Sequence, residues 1–217
     1  MNISNEYQKA FKLIESWRYK YDVSEAVKLF VAQWAYQCTG LYKPQSSIVN
    51  DSIFNDVAKP LSHVLASMML KGVSDPIATI LSEFCKADSK YQGYYPTPPQ
   101  VGNLLSQLLA APNTLSQSPR LKVYEPCCGS AGIIMQKIEH LFNANLDKSE
   151  PLGHVDIVVE DVNATAIHAF CIQLIFKINY LSLVSGKKAE PNRVEINQID
   201  VISRKSGSIY YLFERYE

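Results

Sequence analysis

Acidic side chains and glycines near the middle of the chain have the types and spacing to bind a ligand. Residues 125–132 read Glu-Pro-Cys-Cys-Gly-Ser-Ala-Gly, and Gly129 and Gly132 permit backbone angles and close approach that a side chain would prevent. A second acidic pair, Glu160 and Asp161, follows further along the chain. A carboxylate placed after the second strand of such a unit can accept hydrogen bonds from both hydroxyls of a ribose. The pattern therefore predicts a site for a nucleotide-like ligand.

A strand, a turn and a helix are needed to position these glycines. Val123 and Tyr124 favour a strand, and Pro126 ends it because proline has no N–H to give to a sheet. Ser130 is the predicted N-cap of the helix that follows. The apolar residues of this helix recur at helical spacing: Ile133, Ile134, Met135, Ile138, Leu141 and Phe142. A helix N-terminus beside a glycine turn suits a nucleotide-like ligand.

Two common phosphate-binding motifs are excluded at this turn. A P-loop has a longer glycine loop that ends in Lys-Ser or Lys-Thr, and the dinucleotide fingerprint has a leading glycine pair. Residues 125–132 have neither feature. The ligand is therefore expected to be held in some other way than by a phosphate cradle.

Further strands and a long helix are predicted after the glycine turn. Residues 154–160 alternate and then run apolar, as a central strand does. A mostly buried helix is predicted over about 164–181, and residues 194–202, which contain Asp200, alternate as a third strand. Residues 208–213 are expected to form one more strand or a short helix. Strands alternating with helices predict an α/β domain, which we assign to residues 91–217.

The first ninety residues are predicted to be an all-helical region. Helices are expected over about 4–20, from a capping box at 22–25 to Gly40, over about 58–71, and after Asp75. Residues 41–57 are expected to be a loop. Trp17 and Trp34 could stack on nucleic-acid bases, but their helical spacing favours core packing.

Composition limits the classes of protein to which the chain could belong. Of the 217 residues, 47% are hydrophobic and the formal net charge is zero, so a packed core is expected and unaided DNA binding is not supported. The five cysteines form no paired framework and the four histidines are scattered, which favours a reducing compartment and no metal site. No apolar run approaches the ~20 residues that span a bilayer. A soluble, cytoplasmic protein is therefore expected, without membrane partners.

The glycine turn resembles the first motif of S-adenosylmethionine (SAM) dependent methyltransferases. Its form is similar to that of the N6-adenine DNA methylases, including the modification subunits of type I restriction systems, and the resemblance covers about residues 75–202. Tyr94, Tyr95, Thr97 and Pro98 resemble the aromatic-Thr-Pro element of that family, with Pro96 inserted. A proline-stiffened connection is the alternative interpretation of these residues. The resemblance implies a partial Rossmann-like methyltransferase fold of three to four mainly parallel strands.

The resemblance also implies a cofactor, SAM, and a role for each candidate residue. Asp161 would hold the ribose, with Glu160 as the second choice, and Asp161 or Asn163 could instead only cap the next helix. Val162 would pack on the adenine, and Asp200 would face the adenine amino group, although Ile199 stands where the family has glycine. The residues that would border the amino-acid part of SAM are Tyr95, Thr97, Pro98, Glu125, Pro126, Cys128, Gly129 and Gly132.

The catalytic motif of these enzymes, Asn/Asp-Pro-Pro-Tyr/Phe, is absent from the sequence. Residues 97–100 read Thr-Pro-Pro-Gln, which lacks both the amide or acid and the aromatic residue. We therefore assign no catalytic residue. One hypothesis is an N6-adenine DNA methylase that needs a partner chain to act on DNA. The alternatives are a non-catalytic SAM-binding regulatory or structural subunit and a protein with an interaction role only.

An open sheet edge is expected from so few strands, and exposed edges tend to pair with other chains. We expect residues 210–213 or the N-terminal helices to cover this edge, through association with a second copy or another protein.

Overall fold

The computed structural model describes residues 3–85, 100, 101, 104 and 120–215. The chain forms two compact units, Met1–Pro96 and Thr97–Glu217. The sequence prediction divides the chain at residue 90 instead. Between residues 86 and 119 the structure describes only Gln100, Val101 and Leu104, which are helical.

All the regular secondary structure described in the first unit is helical. It contains four α-helices and two short 3₁₀ helices: α1 (Ile3–Ser16), Trp17–Tyr19, α2 (Val23–Thr39), Ser47–Asn50, α3 (Ser52–Met69) and α4 (Pro76–Phe84). The Asp22 carboxylate caps α2 by accepting from the Glu25 N–H, and Gly40 ends that helix with a φ of +73°. The predicted capping box and C-terminal glycine therefore act as expected.

The prediction of a loop over residues 41–57 was wrong for its last six residues. Asp51 accepts a hydrogen bond from the Ile53 N–H at 2.9 Å and caps α3, which begins at Ser52. Phe54 and Val57 are buried and extend the apolar stripe of this helix by a full turn. The loop prediction gave weight to the polar residues and missed that stripe.

Both tryptophans of the helical unit are core residues. Trp17 is fully buried and stacks on Phe54, with ring centroids 5.1 Å apart. Trp34 is almost fully buried and packs near Phe30. Neither ring is therefore presented for stacking on a base.

The second unit is a four-stranded sheet with two described helices. Its elements, in chain order, are β1 (Leu121–Pro126), α5 (Gly132–Ala144), β2 (Val155–Asp161), α6 (Ala164–Ser185), β3 (Arg193–Ile199) and β4 (Ser206–Glu214). The strand order is β1-β2-β3-β4; β1, β2 and β3 are parallel, and β4 is antiparallel to β3. This mainly parallel sheet, together with the helical N-terminal unit, confirms the predicted fold class.

Helices α5 and α6 pack on one face of this sheet. Ile138 and Phe142 of α5, Phe170 of α6, and Ile157 and Val159 of β2 belong to one buried cluster. β4 covers the outer edge of β3 within the same chain, so the predicted strand at 208–213 forms but pairs intramolecularly. On the other side of the sheet, β1 has β2 as its only strand partner among the described residues.

Helix α6 extends beyond the predicted range of about 164–181, and its apolar stretch is longer than expected from the sequence. Among the described residues, it is one helix of 22 residues that is long and apolar enough to cross a membrane by length and composition alone. Half of its most apolar window is buried inside the protein. Phe170, Cys171 and Leu174 pack in the core beneath the sheet, as expected of the central helix of an α/β domain.

Candidate ligand site at the glycine turn

The turn between β1 and α5 uses left-handed backbone conformations at three of its five residues. Cys127, Gly129 and Ala131 have φ values of 57°, 54° and 98°. Non-glycine residues rarely adopt such angles, which cost of order 1–3 kcal/mol each and persist only where the surroundings impose them. Here the Cys128 N–H donates to the Glu160 carbonyl at 2.9 Å. The turn is therefore tied to the end of β2.

The start of α5 is capped differently from the prediction. Its N-cap position is Ala131, which gives no side-chain hydrogen bond, so the prediction of Ser130 as the cap was wrong. Ser130 is buried, and its carbonyl accepts from the amide of Gln173 on α6. The Glu125 carboxylate accepts from the Ile134 N–H instead. The first turn of the helix is thus capped by the acidic residue of the motif, from the neighbouring strand.

Glu125 is the least satisfied acidic group of the site. Burial raises the pKa of its carboxyl from 4.5 to about 7. One of its oxygens, Oε2, is buried and has no hydrogen-bond partner among the described residues. Buried acceptors are almost always paired in folded proteins, so this oxygen marks a place where a cationic or N–H group of a ligand would be stabilised.

Asp161 and Gly129, which the sequence predicts to act together, are in direct contact. Asp161 Oδ2 accepts from the Gly129 N–H at 2.9 Å, and Oδ1 accepts from the Asn163 N–H at 2.8 Å. Asn163 is the N-cap of α6 and accepts from the Thr165 N–H at 2.8 Å. The sequence left open whether Asp161 binds a ligand or only caps the next helix. In the structure Asn163 caps the helix, and the Asp161 carboxylate contacts the backbone of the glycine turn.

The space beside Gly129 is open. Apart from Gly129 itself and its two chain neighbours, no described residue has an atom within 4 Å of the position that a Cβ on Gly129 would occupy. Each oxygen of a carboxylate has two lone pairs, so the contacts of Asp161 leave it able to accept hydrogen bonds from a ligand next to this space. Gly132, at the first position of α5, and the exposed Pro126 border the same turn.

Glu160, the second choice for the ribose, belongs to a different cluster. Its carboxylate forms two hydrogen bonds with the Arg204 guanidinium, at 2.7 and 2.9 Å, and accepts a third from the Tyr124 hydroxyl at 2.7 Å. Arg204 chiefly lowers the pKa of this buried carboxyl. Consecutive strand residues point to opposite faces, so Glu160 points away from Asp161. We keep Asp161 as the candidate ribose ligand.

The ion pair between Arg204 and Glu160 was not predicted from the sequence. The basic pair at 204–205 was interpreted as solvated surface, and the Arg204 side chain is indeed 57% exposed. It nevertheless holds a buried carboxylate on a strand that precedes it by 44 residues. No local pattern signals a pairing over that distance, so only the three-dimensional structure reveals it.

Val162 remains available for the adenine contact that was predicted for it. Its side chain is 58% exposed, next to Asp161. Its carbonyl accepts from the Gln198 amide at 3.2 Å, and the Gln198 carbonyl accepts from the Ser208 N–H at 3.0 Å. Gln198 thus fixes the backbone at Val162 while leaving that side chain free.

Asp200 organises the turn that leads into β4. Its carboxylate accepts from the N–H groups of Ile202 and Ser203, at 2.9 and 3.2 Å, and from the Ser203 hydroxyl at 2.7 Å. These hydrogen bonds lower its pKa. The Asp-x-x-Ser spacing at 200–203 is typical of such a turn and could have been recognised. An adenine contact by Asp200 stays a prediction.

The remaining predicted site residues divide into one buried group and one group outside the described residues. Cys128 is buried, and burial raises the pKa of its thiol well above the usual range, which suits a packing residue rather than a nucleophile. Tyr95, Thr97 and Pro98 lie outside the described residues. Their contacts with the amino-acid end of SAM stay predictions.

The glycine turn lies within a recognised family segment. Residues 73–177 match the family model described as N-6 DNA Methylase. This segment belongs to the N-6 DNA methylase family. It covers just under half of the chain and contains α4, the glycine turn, Glu125 and Asp161. The matched segment is followed in the chain by β3, β4, Asp200 and Arg204.

Comparisons with individual proteins give one weak structural match. No curated protein matches the chain. Among solved structures, one is of a Listeria monocytogenes protein provisionally assigned as a class I S-adenosylmethionine-dependent methyltransferase. It aligns with a TM-score of 0.43 and 16% identity over 80% of this chain and 50% of that one. The chain thus spans about half the length of that protein.

Proposed function

We propose that this N-6 DNA methylase chain binds SAM at the glycine turn, and that it methylates adenine in DNA only together with a partner chain. The observation that carries the proposal is the hydrogen bond from the Gly129 N–H to Asp161 beside open space. This hydrogen bond places two groups that suit a nucleoside next to each other. The Gly129 backbone, which has no side chain, permits close approach, and the Asp161 carboxylate can accept hydrogen bonds from the ribose hydroxyls.

The residues around the turn fit the chemistry of SAM. This cofactor carries an adenosine, a sulfonium and the ammonium and carboxylate of an amino acid, and it supplies the methyl group when bound. The buried, unpartnered oxygen of Glu125 suits the ammonium, Asp161 suits the ribose, and Val162 offers an exposed apolar side chain to the adenine. Three parts of one cofactor thus have three matching groups.

The proposal of a partner chain is supported by two features of the sequence. No Asn/Asp-Pro-Pro-Tyr/Phe motif is present to orient a target amino group, and the net charge of zero provides no general attraction to DNA. We propose that a partner chain supplies the motif and most of the DNA contacts, which these 217 residues do not provide. A role in restriction and modification rests on the resemblance to type I modification subunits.

The same absence favours a second candidate function. A SAM-binding regulatory or structural subunit needs the glycine turn and Asp161 but no catalytic motif. The two candidates differ only in whether a methyl group reaches DNA, so an assay of methyl transfer separates them.

Calorimetric titration with SAM tests the shared part of both candidates. Gly129→Ala places a methyl group in the open space and strains a left-handed residue, and we expect SAM affinity to fall at least tenfold. Gly186→Ala is the matched control, because Gly186 has a φ of +68°, also faces open space, and ends α6 far from the turn in sequence. Absence of heat with the wild-type chain, or equal losses in both variants, would refute SAM binding at this turn.

Incubation of DNA with tritiated SAM then tests methyl transfer. We expect no label in DNA with this chain alone, and label after addition of the partner chain. Label with this chain alone would refute the requirement for a partner. Continued absence of label with every co-purifying chain would favour the regulatory or structural subunit.

A further inference from the structure

One face of the sheet in the second unit lacks a helical layer among the described residues. Strand residues alternate between faces, and those that do not contact α5 and α6 form what we call the open face. Strand pairing arranges its side chains in three rows across the sheet. The first row is Lys122, Asp156, Arg193 and Glu214; the second is Tyr124, Val158, Glu195 and Leu212; the third is Pro126, Glu160, Asn197 and Tyr210.

Large side chains are exposed on this face. Tyr124, Tyr210 and Leu212 are 49%, 42% and 40% exposed. Parallel sheets usually have both faces covered, whereas this face leaves these three side chains in contact with solvent. The open face is therefore a candidate docking surface.

The first row has a regular alternation of charge. From β1 to β4 it reads Lys122, Asp156, Arg193 and Glu214, which is positive, negative, positive, negative. Arg193 forms an ion pair with Glu214 at 3.0 Å within the chain. Asp156 accepts from the Asn192 amide at 2.6 Å. Lys122 is exposed and has no ion-pair partner among the described residues.

This alternation is complementary to itself under one particular rotation. A two-fold axis parallel to the strands, between two facing sheets, places β1 opposite β4 of the second copy and β2 opposite β3. Lys122 then faces Glu214, and Asp156 faces Arg193, twice in each dimer. A two-fold axis along the rows would instead place like charges opposite each other. The strand directions of the two sheets stay nearly aligned, as in the common packing of sheet on sheet.

We propose that the open face is a self-association surface, through which two copies of this chain pack face to face about a two-fold axis parallel to the strands. In the second row Tyr124 lies opposite Leu212 of the second copy, so an apolar contact adjoins each Lys122–Glu214 pair. The inference is independent of SAM binding, because Asp161 points to the other face of the sheet.

The charges of the open face favour a second copy over nucleic acid. The first row is neutral in sum, Arg204 balances Glu160 in the third row, and Glu195 in the second row adds a negative charge. A surface that binds nucleic acid is strongly positive, because the phosphates dominate affinity. A neutral, alternating row instead matches a surface of the same pattern.

Charge reversal in the 217-residue chain tests this arrangement. Sedimentation equilibrium should show a species of twice the 24.4 kDa chain mass at micromolar concentrations. Lys122→Glu places two carboxylates opposite each other, and Glu214→Lys places two ammonium groups opposite each other. We expect either variant to raise the dissociation constant at least tenfold, and the double variant to restore most of the association. Lys188→Glu, which alters an exposed lysine outside the face, is the control.

Several outcomes would overturn the proposal. A wild-type chain that remains monomeric at about 100 μM would exclude self-association at physiological strength. Association that neither single reversal weakens would indicate another surface, such as the free edge of β1. A double variant no better than the single ones would exclude this rotation, and circular dichroism would confirm that each variant is folded. SAM titration of Lys122→Glu should match the wild type, which separates this test from that of SAM binding.

Discussion

The two turns that follow β1 and β3 are each shaped by an aspartate, but in different ways. At the glycine turn, Asp161 reaches from the end of β2 to the Gly129 N–H, 32 residues earlier in the chain. At the turn between β3 and β4, which we call the hairpin turn, Asp200 accepts only from residues that directly follow it. A carboxylate that holds a distant backbone helps to form a binding surface, whereas one that folds back on its own turn stabilises only that turn.

The largest difference between the two turns should appear in their dependence on pH. The pKa of Glu125 is about 7 in the folded chain and about 4.5 as the ordinary value. Because the pKa of Glu125 is higher in the folded chain than in the unfolded chain, protonation of Glu125 favours the folded state. This contribution to the unfolding free energy is full below about pH 4.5 and is lost as the pH rises to about 7. We expect the wild type to lose about 2–3 kcal/mol relative to Glu125→Gln between pH 5 and 8. Urea unfolding at both values of pH measures the difference.

Asp147→Asn provides the control for that experiment, because Asp147 is exposed after α5 and should follow the wild type. Identical pH profiles for the wild type and Glu125→Gln would mean that Glu125 titrates normally. In that case the glycine turn would be no more sensitive to pH than the hairpin turn.

Asp161→Ala should break the glycine turn as a ligand site. The variant loses an acceptor for ribose and for the Gly129 N–H, and charge-assisted hydrogen bonds of this kind contribute about 1–3 kcal/mol each. We expect SAM affinity to fall by a corresponding factor in a calorimetric titration. Unchanged affinity would remove Asp161 from the site and return the assignment to Glu160.

Arg204→Met tests whether the hairpin turn contributes to stability through its ion pair. The variant leaves the buried Glu160 carboxylate without its cation, so the unfolding free energy should fall; because Arg204 is more than half exposed, solvent screening keeps this loss smaller than for a fully buried pair. Arg204 lowers the pKa of Glu160, so its stabilisation is present at neutral pH and is lost as the pH falls through the folded pKa. Thermal unfolding at pH 7 and pH 4 should show a smaller deficit in the acid.

Lys205→Met is the neighbouring control for Arg204→Met, since Lys205 is exposed and should leave unfolding unchanged. An equal deficit for Arg204→Met at both values of pH would indicate that the guanidinium contributes packing rather than charge.

Asp200→Ala should have the smallest effect and sharpens the contrast with Asp161. Loss of its hydrogen bonds to the hairpin turn should lower the unfolding free energy by less than Arg204→Met does, with SAM affinity unchanged. Denaturant unfolding and SAM titration of the same preparation give both values. A loss of SAM affinity without a loss of stability would instead support the adenine contact predicted for Asp200.

Local patterns were sufficient to predict most elements of the second unit. The strand-turn-helix unit around Gly129, the strand before Asp161 and the long helix after it all follow from apolar periodicity and turn residues. The approach of Asp161 to Gly129 was also predictable, because the carboxyl ends of neighbouring parallel strands meet at the same edge of a sheet.

Contacts between distant residues could not be predicted in the same way. Ser130 is a common cap residue, but the left-handed Ala131 starts α5 one residue later and the cap comes from Glu125 on another element. The Arg204–Glu160 pair joins residues 44 positions apart. Neither outcome leaves a local signal, since both depend on how the elements are brought together.

Glu160 and Asp161 are consecutive, so one peptide bond joins the ion pair on the open face to the carboxylate of the ligand site. Any molecule that drew Arg204 away would leave a buried charge at Glu160, and a shift of the backbone that relieved it would also displace Asp161. A contact at Arg204 would therefore change the affinity for SAM through the backbone of residues 160–161, without rearrangement of side chains in the core.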